Sequence, residues 1–227
     1  MHPPQIASRR FTLLELLAVI CVILILLSLI AFGAKGVKKS REVRCLSNLK
    51  QVGVATMLYL SNNRTRYPGH ITNIDHQGRS CMGKKGANDP RWMKNVTKRP
   101  LNVYLGYTFD NMDTPALTCP FNDDALDVYN KVGSSYSGNA YDHWSSLESK
   151  ISSQLKSPST AVLSTEFGGF AVVLGESNAY TRMTHVPQKP IYPILLADGS
   201  TLLHLINRTD GVTIASKTAN FNVDLAP

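Results

Sequence analysis

The amino-acid sequence predicts an α+β fold, in which a long N-terminal helix packs on a small antiparallel β-sheet. Three observations support this prediction. Apolar residues recur at helical spacing over residues 11–60, residues 69–138 are rich in glycine, asparagine and proline, and short apolar runs suited to strands follow. With 227 residues, 43% of them hydrophobic and 18% charged, the chain can bury a core, which excludes a wholly disordered protein.

The first element is the apolar segment 11–32, which lies in the sequence RRFTLLELLAVICVILILLSLIAF beginning at Arg9. Its length is close to the roughly 20 residues that cross the hydrocarbon core of a bilayer. It is longer than the apolar part of a cleaved secretory signal, and the following AFGAKG matches a signal cleavage site poorly. The segment therefore predicts a single membrane-spanning helix.

The net charge of +8 is concentrated beside this segment. Basic residues flank it on both sides: Arg9, Arg10, Lys35, Lys38, Lys39, Arg41 and Arg44. Such clusters usually lie at lipid headgroups. More of them follow the segment than precede it, so the positive-inside rule alone would leave the C-terminal part in the cytoplasm. The remaining basic residues are scattered among acidic ones, and we expect no nucleic-acid partner.

Glu15 is the one charge inside the apolar segment. A carboxylate in a membrane helix is costly and usually has a partner. One interpretation is that Glu15 reaches back to the interface, since it lies one helical turn from Phe11. The other is that a cation from a neighbouring copy of the chain neutralises it.

An amphipathic continuation is predicted over residues 33–62. Its apolar positions recur at approximately helical spacing: Val43, Leu46, Leu49, Val52, Met57 and Leu60. Asn62-Asn63 and then Pro68 end the helix, because the residue before a proline avoids helical geometry. We expect the apolar stripe to pack on a globular head domain, residues 63–227.

Within the head, residues 69–138 predict loops with a few short elements. The segments 161–165 and 170–174 are typical of strands, and Gly168-Gly169 between them predicts a turn.

The sequence ILLADGSTLLHLI predicts a β-hairpin with Asp198-Gly199 at its tip. We expect a type I′ turn, in which both central residues have positive φ. This turn explains Asp198 without any chemistry, and His185 is interpreted as a hydrogen-bonding loop residue. An edge strand is predicted over 212–215.

Four cysteines are present, of which Cys21 lies inside the apolar segment. The other three are Cys45, Cys81 and Cys119, so a disulfide would leave one thiol over, and the sequence alone does not choose the pair. We favour Cys81 with Cys119, because both lie in polar, loop-like surroundings.

No motif of a hydrolase, NTPase or zinc protease occurs, and we predict that the protein is not an enzyme. His70, His76 and Cys81 have a loosely zinc-like spacing, but without paired cysteines we predict no metal site. Two groups offer oxygens that calcium could use: Asp110, Asn111 and Asp113, and Asp123, Asp124 and Asp127. Neither has the register of an EF-hand loop, so we interpret both as turn residues and expect no cofactor.

The N-terminal sequence RRFTLLELLAVICVILILLSLI resembles that of type IV prepilins and type II secretion pseudopilins, in which a basic leader precedes Phe-Thr-Leu-x-Glu and an apolar helix. The resemblance implies that residues 1–10 are a leader, that a prepilin peptidase cuts between Arg10 and Phe11, and that the new amine of Phe11 is methylated. It also implies that Glu15 pairs with that amine on an adjacent subunit. The family nearly always has glycine where this chain has Arg10.

The resemblance continues in CLSNLKQVGVATMLYLSNNRTRYPG, which is similar to a pattern in prepilin-like proteins of planctomycete-type bacteria. That group often carries Cys-Pro, Tyr-x-x-Asn and a late Asp-Gly preceded by histidine. The corresponding residues here are Cys119-Pro120, Tyr136 to Asn139, His185 and Asp198-Gly199.

The resemblance predicts a pilin-like fold and a pilin-like structural subunit, assembled through its N-terminal helix into a type IV pilus or a type II secretion pseudopilus. Its partners would be the prepilin peptidase, other pilin-like subunits and the bacterial inner membrane, with the head in the periplasm or outside the cell. The alternative is an uncleaved, single-span anchor for a surface or solute-binding domain, because of Arg10.

Overall fold

The computed structural model describes residues 12–68, 81–84, 99–108, 112–121, 123–138, 147, 150–166, 168–169, 185 and 191–206, and for 29–35 and 123–127 the backbone alone. The contacts divide the chain into two compact units, Met1–Ser40 and Arg41–Pro227. The boundary between them falls inside the predicted amphipathic continuation.

Helix α1, Leu13–Asn62, begins at a capping box formed by Thr12 and Glu15. The amide of Glu15 donates to Thr12 Oγ1 over 3.2 Å, and Glu15 Oε2 accepts from the amide and hydroxyl of Thr12 over 2.9 and 3.0 Å. These bonds satisfy amide groups that a helix N-terminus otherwise leaves without partners. The helix ends at Asn62 as predicted, and Arg64 and Thr65 follow with positive φ.

In the first unit, α1 exposes apolar side chains. Their exposed fractions run from 45% at Ile20 to 85% at Leu13. Residues 22–27 form an unbroken apolar run longer than one helical turn of about 3.6 residues, so these side chains point in every direction around the axis. Among the described residues, no helix combines the length and apolarity that a membrane crossing requires.

In the second unit, α1 buries one face. Five of its buried residues lie three or four positions apart, which places them along one stripe: Cys45, Leu49, Val52, Thr56 and Leu60. A Cβ on Gly53 would lie 3.0 Å from Leu195 Cδ1, so the helix backbone approaches the strand that carries Leu195 closely. The Nζ of Lys50 donates to the carbonyl of Gly199 over 2.7 Å.

Among the described residues, the sheet has four antiparallel strands in sequence order: β1 Tyr136–Gly138, β2 Val162–Glu166, β3 Ile191–Leu196 and β4 Thr201–Leu205. β2 is buried along its whole length, and β3 at every position except its first. The predicted α+β class is therefore confirmed. β2 confirms the strand predicted over 161–165, whereas 170–174 and 212–215 lie outside the described residues.

The β3–β4 hairpin is confirmed, but its predicted type I′ turn is wrong. In this turn Gly199 has a positive φ of +84°, whereas Asp198 does not have a positive φ. The Gly199 amide donates to Leu196, and the Leu196 amide donates to Ser200, which closes a three-residue loop with glycine at its last position. Asp198 Oδ1 accepts from the amide and hydroxyl of Ser200, so its side chain stabilises the turn without positive φ.

In the described part of residues 69–138, three further helical segments occur. Two are the short 3-10 helices Asn102–Leu105 and Pro115–Leu117, which agree with the short elements predicted there. The third is helix α2, Asp123–Val132. The prediction that Asp123, Asp124 and Asp127 lie in turns is therefore wrong. Gly168 and Gly169 are helical, so β2 is not followed directly by the predicted turn.

Candidate functional site

The head unit brings two cysteines, a glutamate and a histidine together in its interior. Cys45 lies on the buried face of α1, and Cys119 follows the 3-10 helix Pro115–Leu117. Glu166 is the last residue of β2, and His185 precedes β3. All four are buried, with exposed fractions from 0% for Cys45 and His185 to 4% for Glu166. We call this set the Cys-Cys-Glu-His cluster.

The four side chains converge through their ligand-type atoms. The sulfurs of Cys45 and Cys119 are 2.7 Å apart, and Cys119 Sγ is 3.6 Å from His185 Nε2. The same Nε2 is 2.8 Å from Glu166 Oε1. All four atoms lie within 4.8 Å of one another. Cysteine sulfur, imidazole nitrogen and carboxylate oxygen are the atoms with which proteins bind transition metals.

The ring of His185 is held in place by its surroundings. Phe121 stacks on it, with ring centroids 4.1 Å apart and planes 3° from parallel. The amide of His185 donates to the carbonyl of Ile191 over 3.2 Å, which ties the residue to the start of β3. Its Nδ1 is buried and has no hydrogen-bond partner within the part of the chain that the structure describes.

The protonation of the cluster is governed by its internal contacts. The hydrogen bond with Cys119 is the main cause that lowers the pKa of Cys45 to about 7, while burial raises the pKa of Cys119 far above its ordinary value. Of the two thiols, that of Cys45 is therefore the more acidic. Burial lowers the pKa of His185, but hydrogen bonds and charges from Cys45 and Glu166 outweigh it and raise that pKa to about 9.

The arrangement differs from a nucleophile–base relay. In such a relay the histidine faces the nucleophile with one ring nitrogen and its orienting group with the other. Here Nε2 faces both Cys119 and Glu166. The cluster is also fully enclosed, whereas a nucleophile has to reach its substrate. The geometry thus favours chelation over catalysis.

A second layer of contacts holds the cluster's backbone. Asn48, one helical turn after Cys45, donates from Nδ2 to the carbonyl of Thr118 over 3.0 Å and to the hydroxyl of Tyr136 over 3.5 Å. Because Thr118 directly precedes Cys119, this amide fixes the spacing between α1 and the second cysteine.

The predicted Cys81–Cys119 disulfide is not formed. No disulfide joins the four cysteines, all of which lie in the described part, and the sulfur beside Cys119 is that of Cys45. The reason is the amphipathic continuation of α1, which turns Cys45 inward against the loop that carries Cys119. Cys81 is buried elsewhere in the core.

Other predicted site residues lie apart from the cluster or outside the described residues. The residues outside them are Arg10, Phe11, His70, His76, Asp110 and Asn111. Glu15 is exposed in the capping box. Asp198 is confirmed as a turn residue.

The remaining acidic residues of the two calcium groups lie at different places in the head. Asp113 is exposed and forms an ion pair with Lys84 over 3.1 Å. Asp123, Asp124 and Asp127 lie on α2.

Sequence reasoning missed the cluster because it treated the cysteines as a disulfide problem and His185 as a loop residue. One signal was present: Cys45, Cys119 and His185 all belong to the motifs that carry the prepilin-like resemblance. Comparisons with protein-family models, curated proteins and solved structures found no match.

Proposed function

We propose that the protein is a membrane-anchored structural subunit that works through its N-terminal helix rather than through an active site. The observation that carries the proposal is the apolar surface of α1 over residues 13–27, which surrounds the helix on all sides. Such a surface is unfavourable in water, at roughly 25 cal/mol for each Å² of apolar area left exposed. It requires a cover of lipid chains or of other helices.

More particularly, we propose a pilin-like subunit of a type IV pilus or a type II secretion pseudopilus. The subunit would be held in the bacterial inner membrane by residues 11–32, cut between Arg10 and Phe11 and methylated at Phe11. Copies of α1, or helices of other pilin-like subunits, would then replace lipid around the apolar surface. Packing between helices supplies the driving force for assembly, because an apolar helix that leaves lipid for water gains no stabilising contacts.

The contacts of the CLSNLKQ segment support this proposal. Asn48 and Lys50 bond to the carbonyls of Thr118 and Gly199, and Leu49 between them is fully buried. Cys45 contacts Cys119. The prepilin-like motifs, although distant in sequence, therefore make contact within the head, which gives a structural reason for their occurrence together.

A second candidate is an uncleaved, single-span anchor for a surface or solute-binding domain. The capping box favours it, because Thr12 already provides hydrogen bonds to the Glu15 carboxylate within the same chain. Arg10 at the predicted cut favours it as well.

A pair of variants separates the two roles of Glu15. Glu15→Gln keeps a side chain that can cap the helix but removes the charge, whereas Thr12→Ala weakens the cap and keeps the charge. If a neighbour's amine pairs with Glu15, Glu15→Gln stays in the membrane fraction, and its recovery in sheared filaments from the native host falls by about tenfold, the effect of some 1.4 kcal/mol. Thr12→Ala filaments are recovered normally.

Mass spectrometry of the mature N-terminus completes the test. A chain that begins at methylated Phe11 supports the pilin-like subunit. An intact Met1, together with the absence of the protein from sheared fractions, supports the anchor and refutes the filament. Normal filament recovery of Glu15→Gln would show that the carboxylate serves the helix cap alone.

A further inference from the structure

We propose that Cys45, Cys119, Glu166 and His185 bind one divalent transition-metal ion inside the head, with Zn²⁺ as the ion that best suits the donors. The inference rests on the convergence of two sulfurs, one imidazole nitrogen and one carboxylate oxygen within 4.8 Å. The site is independent of the assembly proposed above, because all four residues belong to the unit Arg41–Pro227.

The donor set selects the metal. Two thiolates exclude magnesium and calcium, which prefer oxygen, and four ligands from cysteine, histidine and carboxylate suit tetrahedral Zn²⁺. Binding releases to solvent the protons that the thiols and the imidazole Nε2 carry, and it places two thiolates, a carboxylate and a neutral imidazole around a 2+ ion. The ion offsets most of the charge of the two thiolates and the carboxylate and leaves a net charge of about one unit in the core.

The distances require little rearrangement. With Zn–S near 2.3 Å and Zn–N and Zn–O near 2.0 to 2.1 Å, a tetrahedron separates sulfur from sulfur by about 3.8 Å and sulfur from nitrogen by about 3.5 Å. Cys119 Sγ and His185 Nε2 already lie 3.6 Å apart. The two sulfurs, at 2.7 Å, have to separate by about 1 Å, which rotation of a cysteine side chain provides.

A bound metal ion explains why all four polar side chains are buried together. Without it, His185 Nε2 faces a sulfur and a carboxylate oxygen with a single hydrogen, and a carboxylate and an imidazole are buried together. A Cys45–Cys119 disulfide would occupy the sulfurs and leave Glu166 and His185 as an isolated buried pair. We therefore favour the metal, and the disulfide is the rival outcome.

The role of the ion is structural. Four protein ligands close the coordination sphere, whereas a catalytic zinc keeps a position for water or substrate. The ligands come from α1, the loop after Pro115–Leu117, the end of β2 and the segment before β3. One ion thus joins the helix to both central strands of the sheet.

The test uses the full chain in detergent, purified with reductant and loaded with Zn²⁺ or Co²⁺. Elemental analysis should find about one ion for each chain. Cobalt should give strong sulfur-to-metal charge-transfer bands and the intense visible bands of a tetrahedral site. Cys45→Ser and Cys119→Ser should each lower the affinity by about 100-fold or more, while Cys21→Ser and Cys81→Ser, the latter also buried, should bind like the unaltered chain.

Three results would overturn the proposal. The first is equal uptake by Cys45→Ser and Cys81→Ser. The second is a weak, octahedral cobalt spectrum in the unaltered chain, which decides the matter even if a serine variant fails to fold. The third is a chain that remains metal-free after loading with its thiols reduced, above all one that is isolated with Cys45 and Cys119 joined and its mass lower by two hydrogens.

Discussion

The two parts of α1 use the same helical backbone for opposite purposes. Over residues 13–27 its large apolar side chains are all exposed, whereas from Cys45 to Leu60 the buried ones occupy a single stripe. The glycines show the same contrast: a Cβ on Gly36 would meet nothing within 4 Å, and one on Gly53 would touch Leu195. The second part packs against the head, whereas the apolar side chains of the first part are left uncovered by the residues that the structure describes.

The largest expected effect comes from cutting back a leucine in each part. Leu49 is fully buried, so Leu49→Ala should lower the free energy of unfolding of the head by about 2 to 5 kcal/mol through lost burial and a cavity. Leu24 is 60% exposed, and Leu24→Ala should leave that free energy unchanged. Denaturant unfolding of the full chain in detergent, followed by near-UV circular dichroism, measures both. Equal losses of unfolding free energy in the two variants would show that the two parts of α1 do not differ in this way.

A medium effect is expected from enlarging the two glycines. Gly53→Val adds methyl groups beside a Leu195 Cδ1 that is already 3.0 Å from the Cβ position, so overpacking should cost about 1 to 3 kcal/mol. Gly36→Val has open space and should change the melting temperature of the head little, since valine exceeds glycine in helix propensity. Thermal melts of the two variants side by side decide the point, and a stable Gly53→Val would show that α1 and β3 pack less closely.

The smallest expected effect is that of low pH on stability. Acid should lower the stability of the head, which contains His204, and leave the N-terminal part of α1 unaffected. Burial lowers the pKa of His204 on β4 below its ordinary value of 6.5. Just below pH 6.5 the unfolded chain therefore binds more protons at this residue than the folded one, and its contribution to stability falls as the pH falls through that range.

Melting temperatures of the head measured between about pH 5 and 7.5 test this effect. His204→Gln, which does not titrate, should show a flatter profile than the unaltered chain. An identical slope in both proteins would assign the acid sensitivity to other groups.

Local signals predicted the long helix and the hairpin. The spacing of apolar residues and Asn62-Asn63 located the helix and its end, and Asp198-Gly199 located the hairpin. The type of turn was missed because the Asp198 side chain bonds to Ser200, a choice that the dipeptide does not reveal. The sequence also contains the capping box, since Thr12 and Glu15 have its three-residue spacing. The prediction considered only the cost of the Glu15 charge among apolar residues.

By itself, the sequence determined that the first part of α1 is apolar on every side and that a helix leads into a small antiparallel sheet, because those properties depend on residues within a few positions of one another. The tertiary structure alone decided that Cys45 faces Cys119, 74 positions away, and that His185 meets Glu166. No periodicity encodes such pairs. They arise when the buried stripe of α1 packs against the sheet and the segments at its edge, which places distant polar atoms in one enclosed space.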